Sequence, residues 1–404
     1  MLGATTHHRW LLLLFAAVLC PSDSVAQTKR YDPGASDTEI KLGQTMPYSG
    51  PASAYGTVGK AELAFFEKIN SEGGINGRKI RLISLDDAFN PAKTVEQTRR
   101  MVEEDQVLAL FNAVGPGQLA VKKYVNQRKV PFLFVGSGST EWDDVKQSPF
   151  SIAFLPSFEG EGRAFARYIL NGFPKAKVAV LAFNEELGRE GLRGLQTAFK
   201  EAGTNPIVAV AWVELNDPTV DSQMLTLQAS GAEVLVTLVA GRAGPQAIRK
   251  VHDLGWRPVH LVSFVSSSIE GVLKPAGLEN AIGIVTTGWL KTPLDPTWKD
   301  DPGMNEYLAW MQKFYPDGNP ADFNNAYGYS AAQAMVSVLK KCGDDLTREN
   351  LMRQTTSIRD LELPLLLPGI KVNASPTRHR TIQQVQMERF DGSRWVAIGE
   401  VFQP

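Results

Sequence analysis

Cysteine is nearly absent. The 404 residues hold 2, Cys20 and Cys342. Cys20 falls in an N-terminal stretch expected to be removed, which leaves Cys342 alone. One thiol forms neither an internal disulfide nor a cysteine metal cluster. Cys342, in AMVSVLKKCGDD, reads as a structural thiol near a helix end. Histidine is scarce too, with 5 in all. Beyond the N-terminus only His252, His260 and His379 remain, without HExxH or paired spacing, so no zinc site is expected. An excess of one charge is also lacking: Lys+Arg 42 against Asp+Glu 43, a formal net charge of -1. That balance suits no polyanion, and nucleic acid is set aside. Past the N-terminus no apolar run reaches membrane-spanning length.

Catalytic and nucleotide motifs are missing as well. Gly136-Ser137-Gly138 begins a dinucleotide-like turn, but Glu141 stands where the third glycine belongs. The stretch Tyr55–Lys60 imitates a P-loop, yet Ala54 and Ala61 occupy its first glycine and its hydroxyl position. No G-x-S-x-G surrounds a serine. Asp86-Asp87 is an adjacent carboxylate pair, but strand neighbours point apart, and Asn90-Pro91 after it fits a turn and a helix cap. No acid, base and orienting group assemble, so no catalytic residue and no cofactor are expected.

What is present begins with a targeting segment. His7, His8 and Arg9 precede WLLLLFAAVL and then Ser24-Val25-Ala26, the layout of a secretory signal over residues 1–26, cleaved near Ala26. Cys20 leaves lipidation open, although Leu19 is bulky where that processing wants a small residue. Residues 27–37 read as a flexible leader. Strands and helices then alternate: strand 40–46, helix 56–74, strand 79–87, helix 91–105, strand 107–113, helix 117–129 and strand 130–135. The series restarts with helix 159–173 and runs through strands 177–183, 207–213, 233–240 and 260–266, with helices 189–203, 219–231 and 244–256 between them. A longer helix is predicted over 321–343 and a terminal hairpin turns at Asp391-Gly392. Near-continuous apolar strands, each followed by an amphipathic helix, predict an α/β fold of two doubly wound parallel-sheet lobes.

The stretches IKLGQTMPYSGPASAYG (40–56) and SEGGINGRKIRLISLDDAFNPAKTVEQTRRMV (71–102) resemble the leucine/isoleucine/valine-binding family of periplasmic receptors for ABC importers. The resemblance implies two lobes joined by three crossovers, near 156–158, 285–288 and 364–368, with a ligand in the cleft. Lobe 1 is then 38–157 plus 288–365, and lobe 2 is 158–287 plus 366–404. It implies a periplasmic receptor serving an inner-membrane ABC permease, and a monomer is expected. It also implies that the loop VGSGSTEW holds a ligand carboxylate, through Ser137, Gly138 and Ser139. Unpaired N–H donors at a helix N-terminus favour an anion; Ser139 or Thr140 has the alternative role of capping the next turn.

Departures from the family pattern shape the expected ligand. Where amino-acid binders have a serine, NAVGPGQ places Val114, followed by Gly115. Where they have an acid for the ligand ammonium, this chain has Val265; where they have two framing tyrosines, it has Leu187 and Ala240. Burying an unpaired ammonium costs several kcal/mol, so an α-amino acid should be rejected unless Glu185 or Glu186 rescues it. Tyr48, Tyr55, Phe111 or Asn112, Trp289, Tyr327 and Tyr329 are the expected walls. The ligand expected is a small hydrophobic carboxylic acid: an aromatic one such as a benzoate or cinnamate, or a branched or medium-chain aliphatic one. The alternatives are a branched-chain amino acid receptor, a sensory receptor subunit of the same fold and, more remotely, an exported α/β enzyme.

Overall fold

The computed structural model describes residues 1–3, 29–50 and 52–404. The expected signal peptide, its cleavage near Ala26 and Cys20 lie outside the described residues, apart from the first three. The chain runs β1 (Arg30–Tyr31), β2 (Glu39–Met46), α1 (Gly56–Ser71), β3 (Lys79–Asp86), α2 (Pro91–Glu103), β4 (Ala109–Phe111), α3 (Gly117–Gln127), β5 (Phe132–Val135) and β6 (Ser151–Ala153). It continues α4 (Phe158–Gly172), β7 (Val178–Phe183), α5 (Glu186–Glu201), β8 (Ile207–Val213), α6 (Asp221–Ala229), β9 (Val234–Leu238), α7 (Ala243–Asp253), β10 (Val259–Val262), α8 (Lys274–Ala276) and β11 (Val285–Gly288). It ends α9 (Pro302–Phe314), α10 (Phe323–Cys342), β12 (Asp345–Leu346), α11 (Arg348–Thr356), β13 (Val385–Phe390) and β14 (Trp395–Phe402).

Two sheets result. The first is parallel, in the order β3-β2-β4-β5-β6; the second has the order β14-β13-β11-β10-β9-β7-β8. The β13–β14 hairpin joins the second sheet antiparallel to β11. Each sheet is doubly wound. In the first, the chain turns outward in opposite directions from β2 and β4; in the second, from β7 and β9. Such switch points leave a crevice beyond the strands' C-terminal ends, because the following helices cross to opposite faces.

Two stretches pack differently from the expected boundaries. The leader is anchored: β1 pairs with β12, and Tyr31 lies 5.3 Å from the guanidinium of Arg78, which also donates to Asp344 at 2.7 Å. Residues 366–382 belong with the first sheet's core: Leu366, Leu367, Ile370, Val372 and Ile382 are buried there, and Thr381 N donates to the Ala153 carbonyl at 3.0 Å. We therefore assign both stretches to the first lobe, with the third crossover at 383–384. The apolar residues of 361–382 are spaced without a regular period, so the sequence carried no signal for which lobe they cover.

Arg380 locks this segment in place. It is 4 % exposed. It donates to Asp143 Oδ1 at 3.0 Å, to the Leu155 carbonyl at 2.7 Å and to the Ser139 carbonyl at 2.6 Å. Replacing it strands the Leu155 carbonyl and a half-exposed carboxylate, and leaves the Ser139 carbonyl only a long bond from Trp142 N at 3.4 Å. Arg380→Ala should cost about 2–4 kcal/mol, below the full penalty for a broken buried pair because Asp143 retains some water. Urea unfolding of the variant checks this; a loss under about 0.5 kcal/mol, the usual range for a surface change, would contradict it.

Candidate functional site

The loops that leave the strands at both switch points meet in one cavity of about 380 Å³ between the lobes. From the first sheet come Tyr55 after β2, Phe89 after β3, Val114 and Gly115 after β4, and Gly136 and Ser137 after β5. From the second come Glu185, Glu186 and Leu187 after β7, Ala240 and Arg242 after β9, and Phe264, Val265 and Ser268 after β10. Leu155, Phe158, Phe183, Trp289, Phe323 and Tyr327 complete a largely apolar, aromatic wall. The lobes touch across the opening, where Gly241 N donates to Tyr55 Oη at 3.2 Å.

Four helices begin at this apolar space. The N-cap residues of α1, α3, α5 and α7 are Tyr55, Pro116, Glu185 and Arg242; all line the cavity and none makes a side-chain cap bond. By contrast Asn90, Ser157, Asp301, Asp322 and Thr347 cap α2, α4, α9, α10 and α11. Away from the cavity only α6 and the three-residue α8 share the omission among the described helices. Helix N-termini without a cap attract negative charge. Ser137 adds a hydroxyl: its Oγ accepts from Ser139 N at 3.1 Å, which leaves its proton free to donate.

Nine of the expected residues line the cavity: Tyr55, Val114, Gly115, Ser137, Leu187, Ala240, Val265, Trp289 and Tyr327. Five lie behind it. Ser139 is fully buried and caps residues 140–142, accepting from Glu141 N and donating to Glu190 Oε1 at 2.7 Å. Gly138 packs on the first crossover; a Cβ there would sit 2.6 Å from Pro156 O and the Phe158 ring. Asn112 is buried, donating to Glu62 and accepting from Tyr327 Oη. Tyr48 bonds Ser84 at 2.6 Å beneath the first loop. Tyr329 is core, 4.8 Å from Trp310 and 5.0 Å from Phe65 between ring centroids. Facing side chains on α10 explain the last pair: Tyr327 and Tyr329 are two residues apart, about 200° around a helix, so one reaches the cavity and the other the core. Phe89, Phe158, Phe183 and Phe264 went unseen in the sequence; their one shared signal is a place at or just past an element end.

Comparison with known proteins identifies the class. The periplasmic binding protein family matches residues 39–394. The chain belongs to that family. A Leu/Ile/Val-binding protein homolog 7 of Brucella suis biovar 1 is 21% identical over 316 residues, covering 76% of this chain and 78% of that protein. A branched chain amino acid ABC transporter protein from Thermus thermophilus, solved with bound valine, superposes with a TM-score of 0.83 at 18% identity, over 92% of this chain and 98% of that one. A solute binding protein of an ABC transporter from R. palustris, solved with benzoate, gives 0.74 at 18% identity, over 89% and 96%. Members are exported substrate-binding proteins that serve ABC transporters, and the family and fold are those of binders, not enzymes.

The binding protein's acids are placed unevenly around the cleft. Glu161, 1 % exposed, sits behind the loop at 263–268 and accepts from Ser263 Oγ at 2.6 Å, Phe264 N at 2.7 Å and Thr287 Oγ1 at 2.7 Å. It holds the loop and has no room for a ligand. Glu186 lines the cavity, and no described side chain or backbone donor bonds its carboxylate. Burial pushes its carboxyl up to about 8, with Glu185, Glu190 and Glu141 adding repulsion. Its unfolded value is near 4.5, so between pH 4.5 and 8 unfolding releases a proton and stability falls as pH rises. Glu186→Gln should therefore leave the melting temperature unchanged near pH 4 and raise it at pH 8, relative to the parent. A melting difference that does not vary with pH would contradict this.

Proposed function

We propose that this chain is the periplasmic receptor of an ABC importer that captures a small hydrophobic carboxylic acid, aromatic acids above all, by closing its two lobes. The observation that carries the reading is an aromatic-walled cavity rimmed by uncapped helix N-termini and the Ser137 hydroxyl. Donors of this kind hold a carboxylate without a dedicated cation, and the low-dielectric wall strengthens each bond. Arg242 adds positive charge at the rim, with Nη2 turned to the carbonyls of Asn216 and Asp217 at 3.2 and 2.9 Å. Offset or edge-on aromatic contacts are worth about 0.5–1.5 kcal/mol beyond area burial, which favours a ring without excluding a chain. We read residues 1–26 as the export signal and the receptor as a monomer that docks on its inner-membrane permease.

Glu186 supports a second reading, an amino acid whose ammonium pairs with that carboxylate. The two readings respond oppositely to pH. An acid meets growing repulsion as Glu186 ionises toward pH 8, so its affinity falls with rising pH; an ammonium gains a partner, so its affinity rises. Calorimetry with benzoate, cinnamate, hexanoate, leucine and valine at pH 6.5 and 8.5 separates them. Binding of at least one acid, tighter at pH 6.5, is the expected result; its thermal signature at 100 times the dissociation constant is about 2.7 kcal/mol of added stability. Leucine or valine binding more tightly than any acid, and more so at pH 8.5, would overturn the proposal.

A further inference from the structure

Beside the main cavity lies a second, much smaller pocket of about 10 Å³, room for one water-sized group. Phe264, Ser268, Trp289 and Phe323 line both spaces. Among the small pocket's own polar residues, Ser267, Thr287, Thr292 and Glu388, the ionisable one is Glu388, on β13 and paired in register with Thr286 of β11. Glu388 is 8 % exposed, and no described residue donates a hydrogen bond to its carboxylate. Trp289, 1 % exposed, has an indole Nε1 that is buried and equally without a partner. Buried polar groups are rarely left this way; the Glu388 carboxylate, unpartnered among the described residues and keeping some open surface in the pocket it lines, points to an occupant. Glycine at 288 makes the arrangement possible: a Cβ there would stand 2.0 Å from Glu388 Oε2. Nearby charges are engaged elsewhere. Asp295 accepts from Thr297 N at 2.8 Å, and Arg394 donates to Thr297 Oγ1 at 2.8 Å.

We propose that this pocket is a subsite for a hydrogen-bond donor, a hydroxyl or primary amine, carried on the apolar end of the ligand away from its carboxylate. The inference rests on the carboxylic-acid reading of the main cavity and narrows it to hydroxylated or amino-substituted acids. Burial pushes Glu388 up to about 8, with Asp295 adding to it, so the neutral carboxyl accepts from a hydroxyl and donates to it. A ligand hydroxyl that reproduces the bonds of a resident water displaces it without loss. A site built for such a donor discriminates against the analogue lacking it, because the acid is then left unpaired.

The test is calorimetry on the mature protein with matched pairs: benzoate against 3- and 4-hydroxybenzoate, cinnamate against 4-hydroxycinnamate, hexanoate against 6-hydroxyhexanoate. The parent protein, Glu388→Gln and Glu388→Leu are compared, with melting curves to confirm that each folds. At least one hydroxylated member should bind about tenfold or more tightly than its partner. That ratio should persist in Glu388→Gln and fall to about one in Glu388→Leu, while the plain acid's affinity stays put. If plain acids bind but every ratio is the same in the parent and Glu388→Leu, the pocket holds water only and this inference fails alone. If no acid of any pair binds, the reading of the main cavity fails and takes the subsite with it.

Discussion

Backbone N–H groups without a side-chain cap, held at the rim of an apolar cavity, are the constraint on which the cleft's chemistry depends. Parallel strands followed by crossing helices place helix N-termini at the same sheet edge as the strand ends. Two such sheets whose strand-end loops line one cavity bring several N-termini to one space. Elsewhere among the described helices, α6 and the short α8 apart, Asn, Ser, Asp or Thr caps the N-terminus. Around the cavity the N-caps are Tyr55, Pro116, Glu185 and Arg242, none of which caps its helix through a side chain; part of the demand is met by backbone carbonyls, with Gly56 N on Ser53 O and Gln118 N on Gly115 O at 3.3 Å.

The walls are held by polar networks that the ligand never touches. Glu62, fully buried, accepts from Gln44 and Asn112, and Asn112 in turn accepts from Tyr327, which faces the cavity. Burial keeps the Glu62 carboxyl well above its usual range. Arg380 fixes the backbone of the Ser137 loop from behind, and Glu190 reaches across from α5 to Thr140 N at 2.7 Å. These groups are held by structural partners. Their work is to keep Ser137 and Tyr327 in fixed positions so that a ligand meets preformed geometry.

Much of the fold was legible because parallel sheets write themselves as apolar runs alternating with amphipathic helices; VAVLAF and VLVTL are buried at every position. The shortest strands were not. SIA (151–153) and VTTG (285–288) are too brief to show a period. The site was legible at the strand ends, where resemblance and topology agree on Tyr55, Val114 and Ser137. It was illegible where orientation decides the role. Ser137 and Ser139 are chemically alike, yet one faces the cavity and the other is spent on Glu190 and a cap. Glu388 was invisible for a different reason: it reaches the cleft region only through a hairpin that joins the second sheet from the far end of the chain.

The most direct test of the central claim is a crystal structure of the protein saturated with an aromatic acid. The account predicts a carboxylate within hydrogen-bonding distance of Ser137 Oγ and of a strand-end backbone N–H of the first lobe, with the ring against Tyr327 and Trp289. A carboxylate turned away from that loop, or an amino acid seated with its nitrogen on Glu186, would contradict it.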